Sequence, residues 1–191
     1  MYRLMIITGS TREGRKGPAL ANWIEGEARK DADWEVVPVD LKELALPLVD
    51  EPEHPRLKHY RFEHTKRWSA MVDAADAFIA VSPEYNFSAP PSLVNAFDYV
   101  FQEWQYKPIG FVTYGGVSAG TRALVSLRQT ASALKMVPVV EGVNVPFFAQ
   151  FINADGVFEA NEQTIAGAKG MLAELKRWAG PLKGMRAPAR G

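Results

Sequence analysis

Three short apolar runs, Leu4–Thr8, Ala77–Ser82 and Ile109–Tyr114, constrain this chain more than any other feature. Each is too short for a stable helix, and none alternates apolar with polar residues. A strand without alternation is covered on both faces, which is the condition of a parallel sheet held between two layers of helix. Helical stripes separate the runs. Pro18 stands where a first helical residue needs no N–H, and Leu20, Trp23, Ile24 and Ala28 follow at helical spacing. Trp68, Met71, Val72 and Ala75 make a second stripe. Pro90 and Pro91 open a third, with Leu93, Phe97, Val100, Phe101 and Trp104 on one face. Leu124, Leu127, Ala131 and Leu134 make a fourth, and Ile165, Ala168, Leu172 and Leu175 a fifth. Two more strands are expected at Glu35–Val39, which Pro38 confines to an edge, and at Val137–Val140. The alternation predicts an α/β fold, a doubly wound five-stranded parallel sheet with strand order 2-1-3-4-5.

At 191 residues, 47% of them hydrophobic, the chain has enough apolar material for one core. A domain of this size buries roughly 70% of the surface its unfolded chain exposes. Residues 1–179 are expected to form a single domain. The polar segment 49–62, with Pro52 and Pro55, reads as an excursion over the surface, and 180–191, rich in glycine and cations, as a disordered tail. Lys+Arg and Asp+Glu both number 22, so no bulk charge drives the chain toward nucleic acid or an anionic membrane. The absence of cysteine excludes a disulfide framework, a thiolate nucleophile and Cys-ligated metal, so any redox role needs a bound cofactor. Gly9 cuts short the first apolar run, which argues against a signal peptide, and no apolar stretch approaches the roughly 20 residues of a membrane span. A soluble cytoplasmic chain is expected.

Three loops follow the three apolar strands. Gly9-Ser10-Thr11-Arg12-Glu13-Gly14-Arg15-Lys16-Gly17 leads into the first helix. Its glycines allow close approach, Ser10 and Thr11 offer hydroxyls, Arg12 and Arg15 offer charged forks, and a helix N-terminus adds its dipole, all of which suit a phosphate. It is neither a Walker loop, lacking the closing Gly-Lys-Ser/Thr, nor a dinucleotide fingerprint, given the spacing of Gly9, Gly14 and Gly17. Pro83-Glu84-Tyr85-Asn86 brings a ring, a carboxylate and an amide, as suits a flat polar heterocycle. Gly115-Gly116-Val117-Ser118-Ala119-Gly120 implies close approach to something flat or to another backbone. Loops at the carboxyl ends of adjacent parallel strands meet in one crevice. Together they suggest a flavin mononucleotide site. His54, His59 and His64 do not align on a helix face and read as loop histidines, and Asp40 reads as a surface cap. Phe97, Tyr99, Phe101, Trp104 and Tyr106 exceed what one buried face takes, which places some of them at a subunit interface along the Leu93–Trp104 helix.

Gly9-Ser10-x-Arg12, Ser82-Pro83-Glu84-Tyr85-Asn86, Asn95-Ala96-Phe97-Asp98 and Gly115-Gly116-x-Ser118-Ala119-Gly120, in this order, resemble the NAD(P)H-dependent FMN reductase family over residues 1 to about 145. That family is the flavodoxin-like group that includes quinone, azo-dye and chromate reductases. The resemblance implies FMN as cofactor and NADPH or NADH as co-substrate. It implies that Ser10 and Arg12, within the loop bounded by Gly9 and Gly17, hold the FMN phosphate. Pro83, Glu84, Tyr85 and Asn86 would line the isoalloxazine ring, with Gly115, Gly116 and Ser118 at its other edge. It also implies a small-molecule electron acceptor and a homodimer. Two positions depart from the pattern: Arg15 stands where many members have serine, and Val94 where many have lysine. The expected activity is ping-pong hydride transfer, with the flavin carrying the chemistry and no catalytic side chain required. The alternatives are a flavodoxin-type FMN electron carrier, which the balanced charge disfavours, and a regulator that binds a phosphorylated effector.

Overall fold

β1 (Tyr2–Thr8), β3 (Ala77–Pro83) and β4 (Pro108–Tyr114) form the middle of a parallel sheet in the order β2-β1-β3-β4-β5, with β2 (Trp34–Asp40) at one edge, in a computed structural model that describes residues 1–186. Side chains alternate between two cores. Met5, Ile7, Phe78 and Phe111 meet α3 (Glu63–Ala74), α4 (Pro91–Asp98) and α5 (Thr121–Ala133), while Leu4, Ile6, Ile79 and Val112 meet α1 (Gly17–Ala28) and α6 (Glu162–Lys183). The predicted order and the two-sided cover are what the structure has.

The fifth strand differs from its expected form. It is split into β5 (Val137–Pro138), paired with Pro108 and Ile109, and β6 (Val143–Val145), paired with Val112 to Tyr114. Pro138 has no N–H to give the ladder, and the Arg128 guanidinium takes the carbonyls of Val139 and Val140 at 2.9 and 2.8 Å. The chain therefore leaves the sheet and returns at Gly142, where a Cβ would stand 3.1 Å from Phe111 O.

The helix expected to reach Trp104 stops at Asp98, and Gln102–Trp104 is a separate 3-10 turn. Indole donors take carbonyls at the end of the helix: Trp68 Nε1 donates to Ala96 O at 2.8 Å and Trp104 Nε1 to Phe97 O at 3.2 Å. The break lets the rings disperse within one chain. Trp104 lies edge-on to Trp68, Phe78 and Phe97, and Phe101 sits beneath the Arg56 guanidinium. Phe97, Tyr99 and Trp104 are fully buried, so ring count no longer argues for a subunit contact. A one-turn helix that sequence reading missed, α2 (Leu41–Leu44), is capped by Asp40, which accepts from Lys42 N–H at 2.9 Å.

Segment 49–62 runs over the surface but is tied down, since Glu51 accepts the N–H groups of Arg61 and Phe62 at 2.8 and 3.0 Å. The expected tail needs correction at its start. α6 continues through Gly180 and Pro181 to Lys183 because Leu182 is buried and Gly180 packs against the Tyr2 hydroxyl, which a Cβ would meet at 2.8 Å. Residues 187–191 lie outside the described part. Beyond the helix, Arg186 and Lys183 both reach Asp76 Oδ1, at 3.1 and 3.0 Å, and Asp76 Oδ2 accepts Arg3 N–H at 3.0 Å.

Burial pushes the Asp76 carboxyl up, but the Arg3 N–H and the two cations outweigh it and hold the group below the usual aspartate value. A carboxylate with a depressed folded-state pKa contributes stability above its unfolded pKa and loses it as pH falls through the folded value. Asp76→Asn is expected to lower unfolding free energy by about 1–3 kcal/mol at neutral pH. The deficit should shrink as pH falls below about 4. Urea titrations at pH 7 and near pH 3 check this, and a deficit that does not change with pH would contradict it.

Candidate active site

Polar side chains gather where the central strands end. At β1, Gly9 N–H donates to Val81 O at 2.9 Å, and a Cβ on Gly9 would meet that oxygen at 3.1 Å and Leu93 Cδ2 at 3.2 Å. Glycine is thus what lets the loop turn against β3. Ser10 follows, 1% exposed, its hydroxyl 2.6 Å from the Tyr85 hydroxyl. That bond joins the first loop to the second. Arg12 stands in solvent, with its guanidinium 5.8 Å from the centre of the Tyr85 ring.

Arg15 is held rather than free. Its Nη2 donates to Asp40 Oδ2 at 2.6 Å, while Nη1 is buried without a partner. Among the described residues, the backbone N–H groups from Ser10 to Gly14 also lack protein partners; the loop backbone is tied by Gly9 N–H, by Ser92 Oγ donating to Gly9 O at 2.5 Å and by the Arg15 N–H to Arg12 O bond at 3.4 Å. Gly17 clears space for the Tyr114 hydroxyl, which a Cβ would approach to 2.8 Å. Burial pushes the Tyr114 pKa up, so its hydroxyl stays protonated. Free N–H groups, an unpartnered buried guanidinium nitrogen and a neighbouring exposed arginine form a cradle suited to a phosphate.

The second loop is a two-residue hairpin. Tyr85 and Ser88 exchange N–H···O bonds of 2.9 Å each, and Asn86 and Phe87 between them have φ of 49° and 67°. Both lie in the left-handed region that I′ hairpin turns require, where a phenylalanine is strained. Asn86 and Phe87 project into solvent beside the crevice, whereas Pro83 is buried in β3.

Glu84 is an expected ring-lining side chain that the structure engages elsewhere. The Glu84 carboxylate takes Arg122 Nε at 2.6 Å, Arg122 Nη2 at 2.5 Å and Arg122 N–H at 3.1 Å. Burial alone would raise its pKa; Arg122 and Ser118 hold it below the usual glutamate value. Arg122 also lies over the Phe87 ring, 3.8 Å from its centre. Sequence reading missed Arg122, whose only signal was an isolated cation two residues after the glycine loop.

The glycines of the third loop divide their work. A Cβ on Gly120, at φ 78°, would meet Tyr114 N at 2.9 Å, and one on Gly115 would meet Gly120 N at 3.1 Å, so both serve the turn. Gly116 has nothing within 4 Å and presents open backbone. Its carbonyl accepts Phe147 N–H at 3.0 Å, which brings in a fourth loop that sequence reading did not place at the site. Asn95 holds the excursion, with its amide bonded to Pro47 O at 2.7 Å and Val49 N–H at 2.9 Å. The histidines have separate local partners: His54 accepts Arg56 N–H, His59 meets Glu53 and His64 meets Asp50.

Comparisons with known proteins agree on a family. The chain matches the model described as NADPH-dependent FMN reductase over residues 2–150. It is 34% identical over 148 residues to an NAD(P)H-dependent FMN reductase of Schizosaccharomyces pombe, covering 75% of this chain and 74% of that one. It is 31% identical over 180 residues to an NAD(P)H-dependent FMN reductase of Nectria sp, covering 91% and 87%. Among solved structures, a flavoenzyme NAD(P)H:(acceptor) oxidoreductase of Paracoccus denitrificans shares the fold at a TM-score of 0.73 and 21% identity, over 94% of this chain and 97% of that one. An oxidised flavodoxin of Bacillus cereus shares it at 0.56 and 14%, over 92% and 97%.

The Glu84–Arg122 tie makes a prediction. Arg122 is half exposed, so Arg122→Ala is expected to loosen the hairpin by only about 1 kcal/mol. Amide exchange at Tyr85 and Ser88 should then quicken roughly fivefold. Unchanged exchange at both amides would mean that the tie does not hold the hairpin.

Proposed function

This chain belongs to the NADPH-dependent FMN reductase family, and we propose that it binds FMN across the crevice and oxidises a reduced nicotinamide in order to reduce a small acceptor such as a quinone or a second flavin. The observation that carries the reading is the unpartnered Arg15 Nη1 beside the free N–H groups of residues 10–14, a donor set that suits the FMN phosphate. In this reading Ser10, Arg12 and Arg15 hold the phosphate, with Gly9 and Gly17 shaping the loop. Pro83, Tyr85 and Asn86 border one edge of the ring and Gly115 and Gly116 the other. Glu84 and Arg122 serve as the tie behind them, with Ser118 in the loop beside it. When bound, the flavin supplies the redox chemistry, accepting a hydride from the nicotinamide and passing the electrons on. The protein's part is to orient and to shield. Ser10 fixes the Tyr85 hydroxyl, and the Phe87 ring, 66% exposed, stands beside the crevice.

The same reading makes the protein a cytoplasmic homodimer. Among the described residues no helix is long and apolar enough to cross a membrane, and the exposed side chains of Phe87, Val117 and Phe147 offer apolar surface at the crevice rim.

Arg12→Ala and Arg15→Ala should each weaken FMN binding by roughly 10–100-fold, the worth of one charge-assisted contact. Fluorescence titration of the apoprotein measures this, and an unchanged affinity in both variants would remove the phosphate cradle. Donor and acceptor would enter by the same crevice and so take turns. Steady-state rates at several acceptor concentrations should give parallel double-reciprocal lines. Intersecting lines would mean that both substrates bind together. If neither NADH nor NADPH bleaches the bound flavin, the electron-carrier alternative takes its place.

A further inference from the structure

β4 ends on a side chain that is almost wholly buried and whose polar atom holds nothing in the protein. Tyr114 is 3% exposed. Its ring belongs to the core beneath α1 and α6 and lies edge-on to Phe148, with 4.9 Å between ring centres. Among the described residues its hydroxyl has no hydrogen-bond partner, and burial and nearby charges alone act on it. A buried phenol ordinarily finds a partner for its O–H. Phenylalanine would fill the same core position with no oxygen to remove from water. Unlike Arg15 Nη1, the oxygen is not sealed away, so the little of Tyr114 that is exposed includes it.

That oxygen lies at the start of α1. Gly17, the first residue of the helix, leaves the room for it: a Cβ there would stand 2.8 Å from the Tyr114 oxygen and 3.4 Å from Thr8 Cγ2. The side chains whose charges act on the hydroxyl are Tyr85, Arg15 and Arg12. All three border the loop after β1, Tyr85 through its bond to Ser10. α1 is twelve residues long, and Lys16 at its N-cap supplies no side-chain acceptor. The N-terminal end of the helix is thus left to an outside anion, and an unused phenol points at the same place. Burial pushes the Tyr114 pKa up, so across the neutral range the group has a proton to donate.

We infer that the Tyr114 hydroxyl is a further donor to the FMN phosphate, adding the end of β4 to a cradle otherwise built by the loop after β1, and that it helps the site to select a phosphorylated flavin over riboflavin. The inference rests on the reading that FMN places its phosphate in that loop.

Tyr114→Phe removes the oxygen and keeps the ring against Phe148. Fluorescence titration of the apoprotein should show FMN binding the variant about tenfold more weakly, the worth of one hydrogen bond to a charged group. Riboflavin, which has no phosphate, should bind the variant and the unaltered protein alike. The urea midpoint of the apoprotein should not fall, because the hydroxyl holds no other part of the chain. Full FMN affinity in Tyr114→Phe overturns the proposal. So does an equal loss for FMN and riboflavin, which with a lowered urea midpoint would make the hydroxyl a structural group. Unaltered protein that binds riboflavin as tightly as FMN fails the phosphate reading itself and takes this proposal with it.

Discussion

A strand covered on both faces must satisfy every backbone N–H and C=O within its own sheet, because no water reaches it. β1 and β3 meet that condition through continuous parallel ladders, and β4 through its ladder with β3 and a divided one with β5 and β6; all three leave almost no room for polar side chains along their length. Recognition is therefore confined to the strand ends. At the carboxyl ends stand Ser10, Tyr85 and the glycine loop. At the opposite end of β4 the polar groups serve structure. Lys107, 2% exposed, donates to the carbonyls of Val72 and Asp73 at the end of α3, at 2.8 Å each, and its burial draws its pKa down to about 7. Glu103, fully buried, accepts from Tyr60 at 3.0 Å and from Ser69 at 2.6 Å. One end of the sheet is fastened so that the other can be open.

The open end is made of three loops that would move independently without cross-links. Two are present. The Ser10–Tyr85 hydroxyl pair joins the first loop to the hairpin, and Glu84 joins the hairpin to Arg122 at the start of α5. Binding costs less when the groups that receive a ligand are already ordered. The Glu84 carboxylate, expected from the sequence to border a ligand, is the group that anchors the hairpin to Arg122.

What the sequence disclosed follows from periodicity and punctuation. Uninterrupted apolar runs and helical stripes were enough for the sheet order, and Gly9, Pro83 and Gly115 marked the strand ends. What it hid depends on long-range partners. Arg122 acquires meaning only when Glu84, 38 residues earlier, reaches it. The end of α4 at Asp98 depends on two indoles, one of them from α3. The break between β5 and β6 depends on Arg128, a residue of the preceding helix. Gly180 and Pro181 look like breakers in isolation, yet the contacts of Tyr2 and Asp76 carry the helix past them.

That broken fifth strand has a bearing on how the molecule behaves in a crowded solution. A sheet edge is a row of unpaired donors and acceptors onto which another chain can add a strand. On one side Pro38 removes a donor from β2, and on the other Pro138 ends β5 after two residues before the backbone departs. Neither edge offers an intervening chain a long, regular template. A protein whose crevice mouth must keep bare aromatic surface can tolerate that exposure more safely when its sheet gives a neighbour nowhere to zip up.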